Sequence, residues 1–92
     1  MTRSPVRRRV RASGEVQGVF FRDATRREAT AHGVAGWVRN CGDGTVEAVF
    51  EGPPETVEAL VEFCRGGPGH ASVERVDVRS EAPEGLSGFE VR

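Results

Sequence analysis

The sequence predicts an α+β sandwich in which two helices cover one face of a mostly antiparallel sheet. Three observations lead to this prediction. The 92 residues, 37% of them hydrophobic, suit one domain with an ordinary core. Two segments have the apolar periodicity of helices, and the segments around them alternate apolar with charged residues. We therefore expect a single domain over residues 1–92, with residues 1–5 frayed at the N-terminus.

The first strand is predicted over residues 6–12, where charged and apolar residues alternate. Its apolar side chains fall on one face: Val6, Val10 and Ala12. Its alternating arginines fall on the other: Arg7, Arg9 and Arg11. Arg8 is the exception to the alternation. Five arginines lie in the first eleven residues, and we expect a solvated arginine face that needs no ligand to explain it.

Two segments are predicted to be helices. The first covers residues 21–32 and is closed by Gly33, the residue type that most often follows a helix. Its core-facing row is narrow and rich in alanine: Phe21, Ala24, Thr25, Glu28, Ala29 and His32. The second begins at the Pro53-Pro54 pair, which suits a first turn, and it stops at glycine-rich residues 66–69. Its apolar row is the clearest in the chain: Val57, Leu60, Val61 and Cys64.

The remaining segments are predicted strands. Residues 34–39 and 45–51 form a hairpin, because Asp43-Gly44 between them provides positions that tolerate a positive φ. A fourth strand is marked by valines spaced irregularly by one residue, which indicates a bulge; they are Val73, Val76 and Val78. A short last strand, residues 89–91, follows a turn at residues 83–85. The order βαββαβ with an extra C-terminal strand predicts a ferredoxin-like sandwich, a fold that does not by itself decide function.

Composition and charge exclude several classes of protein. No apolar run approaches the roughly 18 residues needed to span a bilayer, and the basic start is not followed by an apolar signal segment. The two cysteines, Cys41 and Cys64, match no metal-binding spacing, so we expect a reduced, cytoplasmic protein without a metal site. RNA-binding sandwiches expose aromatic residues on their central strands, whereas here Glu47 and Glu51 lie beside Phe50. With a net charge of −1, nucleic-acid binding is not expected.

The segment between the first strand and the first helix carries the most chemical content. Gly14 and Gly18 allow the backbone to curl, so that successive amides can form an anion-binding nest at the start of a helix. Arg22 falls in the first helical turn, where a cation opposes the helix dipole. Its planar guanidinium could donate two hydrogen bonds to a phosphate. A plain glycine turn followed by an incidental surface arginine explains the same residues. From the residues alone, both interpretations stay open.

Two longer motifs resemble those of the acylphosphatases. Residues 13–22, Ser-Gly-Glu-Val-Gln-Gly-Val-Phe-Phe-Arg, are similar to that family's first signature. Residues 36–46, Gly-Trp-Val-Arg-Asn-Cys-Gly-Asp-Gly-Thr-Val, followed by Gly52, are similar to the second. The motifs occur in the right order, and with the element order the resemblance covers essentially the whole chain. The usual lysine before the asparagine of the second motif is Arg39 here.

The resemblance implies hydrolysis of acyl phosphates to a carboxylate and inorganic phosphate, without a metal or cofactor. It implies that Arg22 binds the substrate phosphate and that Asn40 positions the attacking water. Backbone amides would cradle the same phosphate, those of Glu15, Val16, Gln17, Gly18 and Val19. The partners expected are a small acyl phosphate and the phosphate product, with no nucleic acid and no membrane, and we expect a monomer.

An alternative is a phosphate- or carbamoyl-phosphate-binding module, because acylphosphatase-like domains occur inside larger hydrogenase-maturation proteins. The sequence carries no appended zinc motifs, and a free-standing enzyme is therefore preferred.

Overall fold

Five strands and two helices follow one another in the predicted order. The computed structural model describes residues 4–92, so that residues 1–3 of the N-terminal segment expected to fray lie outside the described part; Ser4 and Pro5 precede the first strand and are exposed. The elements are β1 (Val6–Glu15), α1 (Phe21–Ala31), β2 (Ala35–Asn40), β3 (Val46–Gly52), α2 (Pro54–Arg65), β4 (Ser72–Glu81) and β5 (Phe89–Val91).

The strands form one sheet in the order β4-β1-β3-β2-β5. All neighbours are antiparallel except β2 and β5, which run parallel. Alternate residues of the central strands meet both helices in one buried cluster, so the helices cover a single face of the sheet. The ferredoxin-like prediction is confirmed. No helix within residues 4–92 is long and apolar enough to cross a bilayer.

The two helices match their predicted faces to different degrees. Helix α2 buries all four residues predicted, Val57, Leu60, Val61 and Cys64. Helix α1 buries only Phe21, Thr25 and Ala29, spaced four residues apart. The expected wider row was wrong for its other members: Ala24 and Glu28 are half-buried and His32 is exposed. Because α1 buries one side chain per turn, its contact with the sheet is narrower than the six-residue row predicted from sequence.

Strand β1 runs three residues beyond its predicted end, and a bulge explains why. Ser13 pairs with Arg75 and Gly14 with Val73, so that Glu74 of β4 has no partner opposite it. Gly14 has φ +119°, and a Cβ there would lie 2.5 Å from the carbonyl oxygen of Ser72, so only glycine fits. The predicted irregularity of the fourth strand is confirmed, and the extra residue allows β1 to continue to Glu15.

The prediction of a wholly solvated arginine face was wrong at Arg7. Arg7 is only 2% exposed, and its guanidinium contacts the carboxylates of Glu51 at 2.6 Å and Glu81 at 2.8 Å. The segment between β4 and β5 covers this pair, because the amides of residues 84–86 donate to the Glu51 carboxylate at 3.0–3.1 Å. The alternation of β1 predicted that the Arg7 side chain is solvated, but it is buried because acidic partners surround its guanidinium.

These residues belong to a network on the helix-free face of the sheet, which we call the ion-pair layer. Its members are Arg7, Arg9, Arg11, Arg39, Glu47, Glu51 and Glu81. Glu47 is buried and contacts three arginines. Burial would raise the pKa of Glu47, but hydrogen bonds from Arg39 and Arg9 outweigh it and lower that pKa. The layer is thus held together in its charged form.

Candidate functional site

A cavity of about 510 Å³ opens at one end of the sheet, where the loop after β1 meets the start of α1 and the ends of β2 and β5. It is lined by Val16, Gly18, Phe20, Phe21, Arg22, Asp23, Arg26, Asn40 and Val91. The predicted site residues Arg22 and Asn40, 18 positions apart in sequence, therefore share one cavity. Of the predicted cradle, Val16 and Gly18 line it, whereas Glu15, Gln17 and Val19 do not.

The loop of residues 16–20 is anchored at both sides. Val16 is buried in the core. The side-chain amide of Gln17 donates to the carbonyl oxygens of Cys41 at 2.8 Å and Thr45 at 2.9 Å, which fixes the loop to the β2–β3 hairpin. On the other side, the amide of His70 donates to the Val19 carbonyl oxygen at 2.8 Å. These contacts hold a short irregular segment in one conformation.

Most of the amides of this loop have no protein partner. Within residues 4–92, no backbone or side-chain acceptor takes a hydrogen bond from the amides of residues 16–19. Helix α1 also begins without a side-chain cap at Phe20. Glu15, the first residue of the predicted cradle, lies instead in β1 opposite Ser72. Unpaired amides at a helix start favour an anion there, because they and the helix dipole present partial positive charge.

Arg22 lies in the first turn of α1 and is half-buried. Its Nη1 donates to the main-chain oxygen of Arg92 at 3.3 Å, and this bond orients the guanidinium. No aspartate or glutamate side chain in residues 4–92 pairs with it. Asp23, beside it, is instead neutralised by Arg26 at 3.1 Å and Arg27 at 2.9 Å. Arg22 therefore brings to the cavity wall a positive charge that no acidic side chain of residues 4–92 neutralises.

Asn40 ends β2, where it pairs in register with Val46. Its side-chain Oδ1 is buried and has no hydrogen-bond donor among the described residues. A buried acceptor without a partner costs about 1–3 kcal/mol, and native proteins leave few of them. Because Asn40 lines the cavity, a donor bound there would satisfy this oxygen.

The cysteines take no part in the cavity wall. Cys41 and Cys64 are both free thiols, and neither lines the cavity. Burial raises the pKa of Cys64 to about 12, so it remains a thiol at neutral pH. Among residues 4–92, no cluster of three or more histidine, cysteine, aspartate or glutamate side chains could hold a metal ion.

Sequence reasoning missed five lining residues, which are Phe20, Phe21, Asp23, Arg26 and Val91. Val91 reaches the cavity because β5 adds in parallel to β2, opposite Val38, a pairing that no local pattern indicates. Two distant residues position the site through hydrogen bonds. Arg92, 70 positions further along the chain, accepts from Arg22, and His70, 51 positions beyond Val19, donates to the Val19 carbonyl oxygen. Only an unusual φ at Phe20 marks that residue, and it is not visible in sequence.

Comparisons with known proteins agree with one another. A sequence model of the acylphosphatase family matches residues 8–91. An acylphosphatase from Gloeobacter violaceus is 59% identical over 86 residues, which are 94% of this chain and 92% of that protein. The solved acylphosphatase of Coxiella burnetii superposes with a TM-score of 0.91 at 37% identity, covering 97% of this chain and 94% of that one. That of Bacillus subtilis gives 0.90 at 34% identity, covering 95% and 98%.

Proposed function

The chain belongs to the acylphosphatase family, and we propose that Arg22 and the amides of residues 16–19 bind the substrate phosphate while Asn40 positions the attacking water. It is a hydrolase of acyl phosphates, which acts on the anhydride bond between a carboxyl group and phosphate. The proposal concerns how the residues around the cavity divide this work.

In the reaction, the oxygen of water bonds to phosphorus and the bond from phosphorus to the acyl oxygen breaks. The products are a carboxylate and dihydrogen phosphate, which together contain the atoms and the two negative charges of the acyl phosphate and water. A carboxylate leaves readily, so no general acid is required. The transition state of phosphoryl transfer is loose, and catalysis depends mainly on positioning and charge stabilisation.

The observation that carries the proposal is the unpartnered Oδ1 of Asn40 in the same cavity as Arg22. A water molecule donating to this oxygen would be oriented by it, with its lone pairs free for the attack. An amide cannot remove a proton near neutral pH, so the water proton passes to a phosphate oxygen or to solvent. Asn40 therefore acts by orientation rather than as a base.

Charge and geometry support the proposed binding of the substrate phosphate by Arg22 and the loop amides. The Arg22 guanidinium has no acidic side-chain partner within residues 4–92 and can donate two parallel hydrogen bonds to phosphate oxygens. The unpaired amides of residues 16–19 can supply further donors. Both groups would stabilise the charge of the transferring phosphoryl group without a change in their own protonation.

The direct test is release of inorganic phosphate from acetyl phosphate by the wild type, Arg22→Ala, Asn40→Ala and the matched control Arg27→Ala. Arg27 lies on the same helix, is exposed and pairs with Asp23, so its loss removes one arginine outside the cavity. We expect Asn40→Ala to lower kcat by about 10²–10³-fold, the size of effect known for the loss of one hydrogen bond that acts in the transition state. Its inhibition constant for phosphate should stay near the wild-type value.

Arg22→Ala should impair both turnover and phosphate inhibition, while Arg27→Ala should leave both unchanged. Full turnover in Asn40→Ala, or an inactive wild type that still binds phosphate, would overturn the proposal; the second result would favour the alternative of a binding module. Independence of metal stays a prediction, which EDTA tests by leaving the rate unchanged. The single-domain, monomeric and cytoplasmic assignments also stay predictions.

A further inference from the structure

The cavity has an apolar side that phosphate chemistry does not use. Among residues 4–92 only three large hydrophobic side chains are exposed: Phe20 (68%), Val91 (42%) and Val78 (37%). The first two line the cavity that holds Arg22 and Asn40. Apolar groups that converge beside a few polar ones are typical of a binding site for an amphiphilic small molecule. Resting on the function proposed above, we propose that Phe20 and Val91 form the subsite for the acyl group and select apolar, preferably aromatic, acyl phosphates.

The backbone of Phe20 is held in a conformation that a bulky residue rarely adopts. Its φ is 64° and its ψ is 22°, in the left-handed region. Its carbonyl oxygen accepts the first hydrogen bond of α1, from the Ala24 amide at 3.1 Å. Such strain persists where the surrounding contacts fix it, and it is common at ligand sites. The result is an aromatic ring directed to the mouth of the cavity instead of into the core.

The turn after α2 supports this ring. The imidazole of His70 meets the Phe20 ring edge to face, with centroids 5.8 Å apart and planes at 73°. Gly69 allows the close approach, because a Cβ there would lie 2.4 Å from the Val19 carbonyl oxygen and 2.8 Å from that of Phe20. The ring is therefore preorganised. When an acyl group packs on it, the Phe20 side chain loses little conformational entropy.

Charge in the cavity wall also disfavours a charged acyl group. Asp23 and Arg26 line the cavity, but they form an ion pair with each other at 3.1 Å. Arg22 is the remaining charged side chain of the cavity wall, it has no acidic side-chain partner in residues 4–92, and the phosphate is expected to occupy it. A carboxylate carried by the acyl group would thus lose water without gaining an unpaired cation.

The test compares kcat/KM for benzoyl phosphate and acetyl phosphate in wild type, Phe20→Asn, Val91→Ser and Val78→Ser. Asparagine tolerates the left-handed conformation, so Phe20→Asn removes the ring without adding backbone strain. Circular dichroism and thermal unfolding check that each variant folds. The ratio of the two kcat/KM values cancels effects common to both substrates, and Val78→Ser is the matched change of an exposed valine outside the cavity.

We expect wild type to prefer benzoyl phosphate and Phe20→Asn to lower that preference by about two- to tenfold, the range of one aromatic pair. Val91→Ser should lower it less, and Val78→Ser not at all. The inhibition constant for inorganic phosphate should not change in Phe20→Asn. An unchanged preference in Phe20→Asn, or an equal loss on both substrates with weaker phosphate inhibition, would overturn the inference while the proposed function stands. A wild type inactive on both substrates would refute the proposed function and the inference together.

Discussion

The ion-pair layer and the cavity both contain buried polar groups, but these groups have partners in the layer and lack them, within residues 4–92, in the cavity. In the layer, Arg7 contacts three carboxylates, and the Glu51 carboxylate accepts three backbone amides as well as Arg7. In the cavity, Asn40 Oδ1 and the amides of residues 16–19 have no partner among the described residues. The two regions lie on the same sheet, so their difference is one of partners and not of fold.

The difference separates polar groups that stabilise the fold from those available to a ligand. A buried charge with several partners lowers the free energy of the folded chain relative to the same charge left alone. A buried acceptor without a partner raises it, and beside a cavity, as at Asn40, a bound molecule can supply the missing donor. Removal of a group should therefore destabilise the protein in the layer and cost little stability in the cavity.

The largest effect is expected from the layer. Glu51→Ala leaves the buried Arg7 without its shortest ion pair and three amides without their acceptor. We expect the free energy of unfolding in urea to fall by about 3–5 kcal/mol, as for other broken buried pairs. Glu62→Ala, which removes an exposed partner of Arg65, should cost about 1 kcal/mol or less. Equal losses in the two variants would contradict the distinction between the layer and an ordinary surface pair.

Acid should weaken the layer as a whole. Hydrogen bonds from Arg9 and Arg7 lower the pKa of Glu81 to about 2. The pKa values of Glu47 and Glu51 are also lowered, because donated hydrogen bonds outweigh the opposite effect of burial. A carboxylate with a lowered folded-state pKa stabilises the protein fully above its unfolded pKa, about 4.3 for glutamate, and loses that contribution as the pH falls toward the folded value.

The free energy of unfolding should therefore be level above pH 5 and fall steadily between about pH 4.3 and pH 2. Urea titrations at several pH values would measure it. Glu81→Gln should show a shallower fall in this window than wild type. An unaltered slope in that variant would mean that Glu81 keeps the same pKa when the chain unfolds.

The cavity should respond to phosphate rather than to acid. Inorganic phosphate that binds only the folded protein raises its stability, by about 2.7 kcal/mol at one hundred times the dissociation constant. Thermal unfolding in a phosphate series measures this without turnover. Arg22→Ala should lose most of the rise in Tm, whereas Arg27→Ala should retain it. A full rise in Arg22→Ala would show that phosphate binds elsewhere.

The smallest change in stability is expected where the unpartnered oxygen is removed. Asn40→Leu replaces it with a side chain of similar length, so stability should stay the same or rise by about 1 kcal/mol, while turnover is lost. Thr25→Val is a matched control, because Thr25 Oγ1 is the other buried side-chain oxygen without a partner in residues 4–92 and lies outside the cavity. It should change stability in the same direction and leave activity intact. A strongly destabilised Asn40→Leu would mean that Asn40 serves the fold.

Prediction from sequence worked best where the signal is local. Helix α2 was predicted in full because its apolar residues repeat at the helical period and Pro54 begins it. The bulge in β4 was visible as a shift in the spacing of valines. Three of the six residues predicted for the core-facing row of helix α1 are not buried, because alanine and threonine mark a buried row less clearly than leucine and valine do.

The sequence by itself determined the order of elements, the family resemblance and the two residues proposed for catalysis, because propensity, periodicity and motif spacing are properties of neighbouring residues. Tertiary structure alone decided that Arg7 is buried, since its burial depends on Glu51, Glu81 and the segment that covers them. It also decided that Phe20 and Val91, from opposite ends of the chain, share a cavity with Asn40. The physical reason is common to both: whether a side chain is satisfied depends on distant segments that only the parallel and antiparallel pairing of the sheet brings together.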